Sequence, residues 1–278
     1  LIDNGHTVTI TSNVVADDIV VDGTLQINGG TTFSVANGEA EDDMIVNGSI
    51  INEGSLTVSA NAIATINGDI DNKSGITLAS SSKMIVNGTL SNNTSTTSIN
   101  SAATSLFFEK DSYYIHNRDG GVIPTASWDK ESNMKVIGLI STAITGQKQV
   151  FGNIIWDNSY QTMDYTFAYT GSATICSGNF ILNNTGSGAV IFKNGTSSTS
   201  LTIGGDLQIN EGHLIVNAGG TSTTTGTNLY IGGDYLQTGG TLDLSSSNAT
   251  CTFNLDGNYY QTGGTFTRTI GPYITTFN

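Results

Sequence analysis

The sequence predicts an all-β protein, a right-handed parallel β-helix (β-solenoid) of about ten to twelve coils. Three observations carry that expectation. A corner phrase returns every 20 residues, as Val46-Asn47-Gly48-Ser49-Ile50, Ile66-Asn67-Gly68-Asp69-Ile70 and Val86-Asn87-Gly88-Thr89-Leu90, with Val21-Asp22-Gly23-Thr24-Leu25 as an earlier relative. A second series, Gly152-Asn153-Ile154, Gly178-Asn179-Phe180, Gly205-Asp206-Leu207, Gly233-Asp234-Tyr235 and Gly257-Asn258-Tyr259, runs at spacings of 26, 27, 28 and 24 residues. Between corners the chain alternates with period two, as in Thr7-Val8-Thr9-Ile10-Thr11, and nowhere with the helical period of about 3.6.

The elements follow in chain order. Residues 1 to about 105 form the regular part, in which Asn52, Asn72 and Asn92 align, as do Leu56, Ile76 and Thr96, and Val58, Leu78 and Ser98. Coils stacked at about 4.8 Å place identical side chains over one another, so asparagines can bond up and down a ladder and apolar residues form columns. Asn47, Gly48, Asn67, Gly68, Asn87 and Gly88 are read as structural turns, because a tight corner often needs positive φ, which Gly adopts freely and Asn tolerates. From about 106 to 170 the period blurs, and the stretch holds both tryptophans and many tyrosines; residues 112–128 are too irregular for one coil and predict a projecting loop. Coils then resume, with Gly205, Gly233 and Gly257 at one turn and Asn210-Glu211-Gly212, Thr238-Gly239-Gly240 and Thr262-Gly263-Gly264 at a second. With no Pro-rich or charged linker, residues 1–278 read as a single domain with a central elaboration. About 4.8 Å per coil implies a length of roughly 50 to 60 Å, and the right hand follows the general preference of crossovers.

Composition narrows the function. A net charge of -14 with 12% charged residues disfavours nucleic acid and anionic membrane surfaces as partners. No run of about eighteen apolar residues predicts a membrane span. The start at Leu1 carries no basic, apolar leader, so any signal peptide is expected to be removed or to lie outside this segment, which reads as part of a longer protein. Cys176 and Cys251 lie 75 residues apart, about three coils. That separates them by roughly 14 Å, beyond the Cα reach of about 7 Å for a disulfide. Free buried thiols are expected.

Residues that could carry chemistry do not form a catalytic set. His116, Asn117, Arg118 and Asp119 are adjacent and cannot all converge on one substrate; with Gly120 and Gly121 they read as a cap on a coil. His6 and His213 are lone histidines on turns without metal-ligand spacing. Asp17-Asp18 and Asp42-Asp43 share one place before their corners and can stack on two coils, but Ala62-Ile63 and Ser82-Lys83 follow there. A solvated edge is the expectation, and Ca²⁺ is the one cofactor such a pair would suit; no metal site and no cofactor are otherwise expected. Thr57, Thr77 and Thr97 make a threonine rung too short for an ice-binding array. The aromatic cluster is the binding candidate, with Tyr113, Tyr114, Trp128, Trp156 and Tyr160 offering rings for pyranose faces beside Asn and Asp for hydroxyls, while the tryptophans also suit the core of wider coils.

Tyr113-Tyr114-Ile115-His116-Asn117, Gly120-Gly121-Val122-Ile123-Pro124-Thr125-Ala126-Ser127-Trp128, Lys135-Val136-Ile137-Gly138 and Gln149-Val150-Phe151-Gly152-Asn153-Ile154-Ile155-Trp156 resemble a segment of large secreted surface proteins of Bacteroidetes. The opening Ile2-Asp3-Asn4-Gly5-His6-Thr7-Val8-Thr9-Ile10 is similar to the first coil of that group. Many of those proteins are exported by the type IX secretion system. The resemblance spans most of the chain, but its motifs are structural and the family's C-terminal sorting domain is not evident. It implies a non-enzymatic, extracellular or cell-surface adhesin, stalk or binding module with a glycan or surface protein as partner. The alternatives are a polysaccharide lyase or hydrolase on a β-helix, and an accessory subunit that docks on secretion or gliding machinery.

Overall fold

The computed structural model describes residues 1–39, 41–94, 99–219, 226–267 and 273–277, the last of these by backbone alone. Every regular element among them is a β-strand, and all pairings join parallel strands. The chain is a β-solenoid. Its contacts divide it into two compact units, Leu1–Met134 with Ile144–Gly146, and Lys135–Ala143 with Gln147–Asn278.

In the first unit each regular coil contains three short strands. Ser49–Asn52, Ser55–Val58 and Ile63–Ile66 make one turn, and Asp69–Asn72, Gly75–Leu78 and Lys83–Val86 the next. Each strand pairs with its counterpart 20 residues on, so Ile50 faces Ile70, Leu56 faces Ile76 and Ile66 faces Val86. Inward positions carry the apolar columns: Leu25, Ile50, Ile70 and Leu90 form one and Val21, Val46, Ile66 and Val86 another, all essentially without solvent exposure. Each such side chain contributes about 1.5–3 kcal/mol of burial.

The corner glycines have a different cause from the one the sequence suggested. Gly48, Gly68 and Gly88 do not have positive φ. A Cβ built on each would overlap the carbonyl oxygen of the preceding glycine in the column, Gly23, Gly48 and Gly68 respectively. Close stacking of backbone on backbone, and not left-handed geometry, excludes a side chain there. The left-handed positions fall instead on a third corner that the sequence did not reveal, at Asn61 and Ser81, with φ of 64° and 63°. That corner contains no glycine and left no signal.

Two further expectations change. Ile76 pairs with Ile99, which displaces the anticipated partner Thr96; Thr96, Thr97 and Ser98 themselves lie outside the described residues. Residues 112–128 form no projecting loop. Tyr113–His116, Gly121–Val122 and Ser127–Trp128 are strands paired respectively with Thr89–Asn92, Ile144–Thr145 and Leu106–Phe108, so this segment is a coil of unusual sequence.

The second unit also winds three strands per turn, with longer ones. Asn153–Asp157, Phe180–Asn184, Leu207–Ile209, Tyr235–Gln237 and Tyr259–Gln261 stack on one face. Gly171–Cys176, Thr199–Ile203, Gly226–Ile231, Thr250–Leu255 and Tyr273–Phe277 stack on another, and Tyr165–Thr166, Val190–Lys193, His213–Asn217, Thr241–Asp243 and Thr265–Thr267 on the third. Wider coils need larger fillers. Trp156, Tyr165, Phe167, Phe180 and Phe192 are all buried, with Trp156 and Tyr165 at 4.8 Å between centroids and Phe180 and Phe192 edge to face at 5.0 Å. Cys176 and Cys251 are free and buried, three strands apart in one sheet, as the coil spacing requires.

Candidate functional site

The five aromatic residues singled out as binding candidates are not all at the surface. Tyr113, Tyr114 and Trp128 belong to the first unit, Trp156 and Tyr160 to the second. Tyr114 and Trp156 are fully buried, which removes both from any binding face. Trp156 donates its indole N–H to Gln161 Oε1 at 2.8 Å. Trp128 is half-buried and stacks on Phe108 at 4.4 Å with 13° between planes. Only Tyr113, 37% exposed, and Tyr160, 77% exposed, present their rings to solvent.

The most chemical-looking residue is equally internal. His116 is buried and ends a polar column that begins at Asn52. Asn52 Nδ2 donates to Asn72 Oδ1 at 2.7 Å, Asn72 Nδ2 to Asn92 Oδ1 at 3.1 Å, and Asn92 Nδ2 to the Tyr114 hydroxyl at 3.2 Å. At the far end His116 Nε2 stands 2.9 Å from the Gly120 carbonyl oxygen, which can only accept, so the ring proton is on Nε2. Nδ1 is then the acceptor for the Tyr114 hydroxyl at 3.1 Å. The column is thus one directed chain of donors. Burial, opposed by the bond to Gly120 and aided by the Arg118 charge, lowers the His116 pKa to about 4. The ring is neutral at pH 7 and both nitrogens are occupied, which leaves no lone pair for general base chemistry.

The stacked acidic pairs are also engaged. Ile19 pairs with Met44, which sets Asp17-Asp18 beside Asp42-Asp43. Asp43 is buried and accepts the amides of Gly38 and Ile63, the latter at 2.7 Å, while Asp42 accepts the Thr65 hydroxyl at 3.1 Å. The expected solvated edge is therefore partly a set of fasteners between coils. Among the described residues no three His, Cys, Asp or Glu side chains gather as a metal site. His213 opens the strand His213–Asn217 and does not sit in a turn.

A groove in the second unit was not anticipated. Its volume is about 320 Å³, and its walls come from two segments, Lys148, Gln149 and Val150 on one side and Tyr169, Thr170, Ser172, Ala173 and Thr174 on the other. Val150 is 51% exposed, whereas Tyr169 is only 5% exposed and lies parallel to Phe167 at 5.5 Å. Burial raises the Tyr169 pKa well above its ordinary value, so its hydroxyl stays protonated. The result is a shallow recess with apolar patches from Val150, Ala173 and Tyr169 and a polar rim from Lys148, Gln149, Thr170, Ser172 and Thr174. Sequence reasoning missed it because these residues are ordinary one by one, and Tyr165 to Thr170 keep the same alternation as a plain strand. No protein-family model matches the chain, and no curated protein or solved structure does so either.

Proposed function

We propose that this chain is a non-enzymatic, exported β-solenoid of the cell surface whose second unit binds a glycan. The observation that carries the reading is the groove between Lys148–Val150 and Tyr169–Thr174, at about 320 Å³ the size of a small-molecule site with a mixed apolar and hydroxyl-rich lining. A sugar presents an apolar ring face and a belt of hydroxyls, which the patches and rim complement. The role as scaffold is supported by the use of His116, Asp42, Asp43 and the stacked asparagines to hold coil to coil. Export rests on the resemblance of residues 113–156 to secreted surface proteins.

Titration of the whole chain against a panel of neutral and acidic oligosaccharides tests the proposal. Val150→Arg and Ala173→Arg, which fill the recess, are expected to weaken glycan binding at least ~10-fold, about 1.4 kcal/mol. Tyr113→Ala is expected to leave it unchanged, because Tyr113 is not among the residues that line the groove. Binding that survives both arginine changes, or release of cleaved sugar, would contradict the reading.

A further inference from the structure

We propose that Lys193 and Asn217 become joined by an intramolecular isopeptide bond, the Lys193 side-chain nitrogen replacing the amide nitrogen of Asn217 with release of ammonia. The two residues end adjacent parallel strands, Val190–Lys193 and His213–Asn217, and are direct partners in the register. Such partners stand about 4.8 Å apart on the same side of the sheet, close enough for the longer side chain to fold onto the shorter. Lys193 is 1% exposed and Asn217 is 0% exposed. Neither Lys193 Nζ nor Asn217 Nδ2 has a hydrogen-bond partner. Two unpartnered buried nitrogens on stacked residues each carry an uncompensated desolvation cost as they stand, and the condensation removes one of them from the protein and converts the other into an amide.

The surroundings suit the step. Asn217 Oδ1 already accepts the Gly219 amide at 3.0 Å, a donor placed where negative charge develops when an amine adds to the side-chain carbonyl. The corner is tight, since a Cβ on Gly219 would overlap the backbone of Asn194 and Gly195 just after Lys193. Ala189, Ile191, Ile215 and Ala218 pack as an apolar cluster beside the pair, Ile191 and Ile215 being themselves register partners two residues before Lys193 and Asn217. Such packing limits the access of water to the carbonyl. Burial lowers the Lys193 pKa, with Cys251 nearby opposing the shift, which favours the neutral, nucleophilic amine.

In the balanced step the amine nitrogen attacks Cγ of Asn217, and its surplus proton passes to Nδ2. The Cγ–Nδ2 bond then breaks and ammonia leaves. No oxidant or other reactant is needed. The product ties two successive coils covalently, so that a pull along the chain cannot unwind them.

Intact mass and peptide mapping of the purified whole chain test this. The expected mass is one ammonia below that of the sequence, with digestion yielding a branched peptide that joins residue 193 to residue 217. Lys193→Arg and Asn217→Ala are each expected to restore the sequence mass. An unmodified wild-type mass would overturn the proposal. Ammonia loss that persists in Lys193→Arg, without a branched peptide, would identify a succinimide at Asn217 and overturn it equally.

Discussion

The two units wind the same three-strand coil and treat the polar groups inside it in opposite ways. In the first, one residue type is repeated, so Asn52, Asn72 and Asn92 stack and each amide serves the next until Tyr114 and His116 close the chain at Gly120. In the second, polar side chains turn to a neighbour two residues on or to backbone groups, in their own coil and in the next. Tyr235 donates to Gln237 Oε1 at 2.7 Å, and Gln237 Nε2 donates in turn to the carbonyls of Gly239, Gly240 and Thr265. At its corners Asn179, Asp206 and Asp234 each accept, on a side-chain oxygen, the backbone amide of the aligned residue in the next coil, at 2.7 Å every time. A ladder of identical side chains makes successive coils interdependent, and its ends are its weak points, as the unpartnered Oδ1 of Asn52 above Ile27 shows. Bonding of this kind lets coils vary in length from 24 to 28 residues, at the cost of leaving the side-chain nitrogens of Lys193 and Asn217 without partners unless they react.

The chain has two tryptophans, Trp128 in the first unit and Trp156 in the second. The fluorescence of a Trp156→Phe variant therefore follows unfolding of the first unit alone, and that background reads each of the following effects. The largest is expected from Gly68→Ala, whose new methyl would meet the Gly48 carbonyl oxygen. Backbone cannot yield as a side chain can, and a loss of ~3 kcal/mol or more in urea unfolding follows. A neutral effect would mean that the coils are spaced more loosely than the glycine column requires. Asn72→Ala comes next at ~2 kcal/mol, because it strands Asn92 Oδ1 in the interior and takes from Asn52 one of its two acceptors. The matching outer column, in which Asn87 donates to Asn67 and Asn67 to Asn47 at 2.8 Å each, is solvent-exposed. Asn67→Ala there is expected to cost under ~1 kcal/mol, since water replaces the lost bonds. Equal costs for Asn72 and Asn67 would break the distinction between inner and outer ladders.

Much of the fold was legible because repetition writes the register directly. The spacing of Asn52, Asn72 and Asn92 is the stacking of the strands, and the break after Asn92 hid only the lengthening that brings Ile99 over Ile76. The role of the corner glycines was misread, because a sequence marks where Gly is required without telling left-handed backbone from close approach. The continuation of the Asn column into Tyr114 and His116 could not be seen at all, since the chemistry changes while the position is kept. The candidate aromatic site failed for a related reason. A wide coil must be filled, and in an alternating strand Tyr114 and Trp156 fall on the inward beat while Tyr113 falls on the outward one. Lys193 left a faint signal, a lysine closing the apolar run Ala189-Val190-Ile191-Phe192, but its pairing with Asn217 emerges only from the register.

The polar columns are internal fasteners and not exposed chemistry, and the pH response of His116 is where this is decided. An unfolded histidine takes up its proton near pH 6.5, whereas the buried ring resists protonation until about pH 4. The stability that His116 contributes is therefore present above pH 6.5 and lost as pH falls through that window, by roughly 2–3 kcal/mol at the low end. Urea unfolding of the Trp156→Phe chain, with His116 and with His116→Gln, at pH 7 and at intervals down to pH 4, isolates this contribution from that of the carboxylates. A steeper loss of stability toward pH 4 is expected in the chain that keeps His116. Identical pH profiles in the two chains, or a steeper loss in His116→Gln, would contradict it.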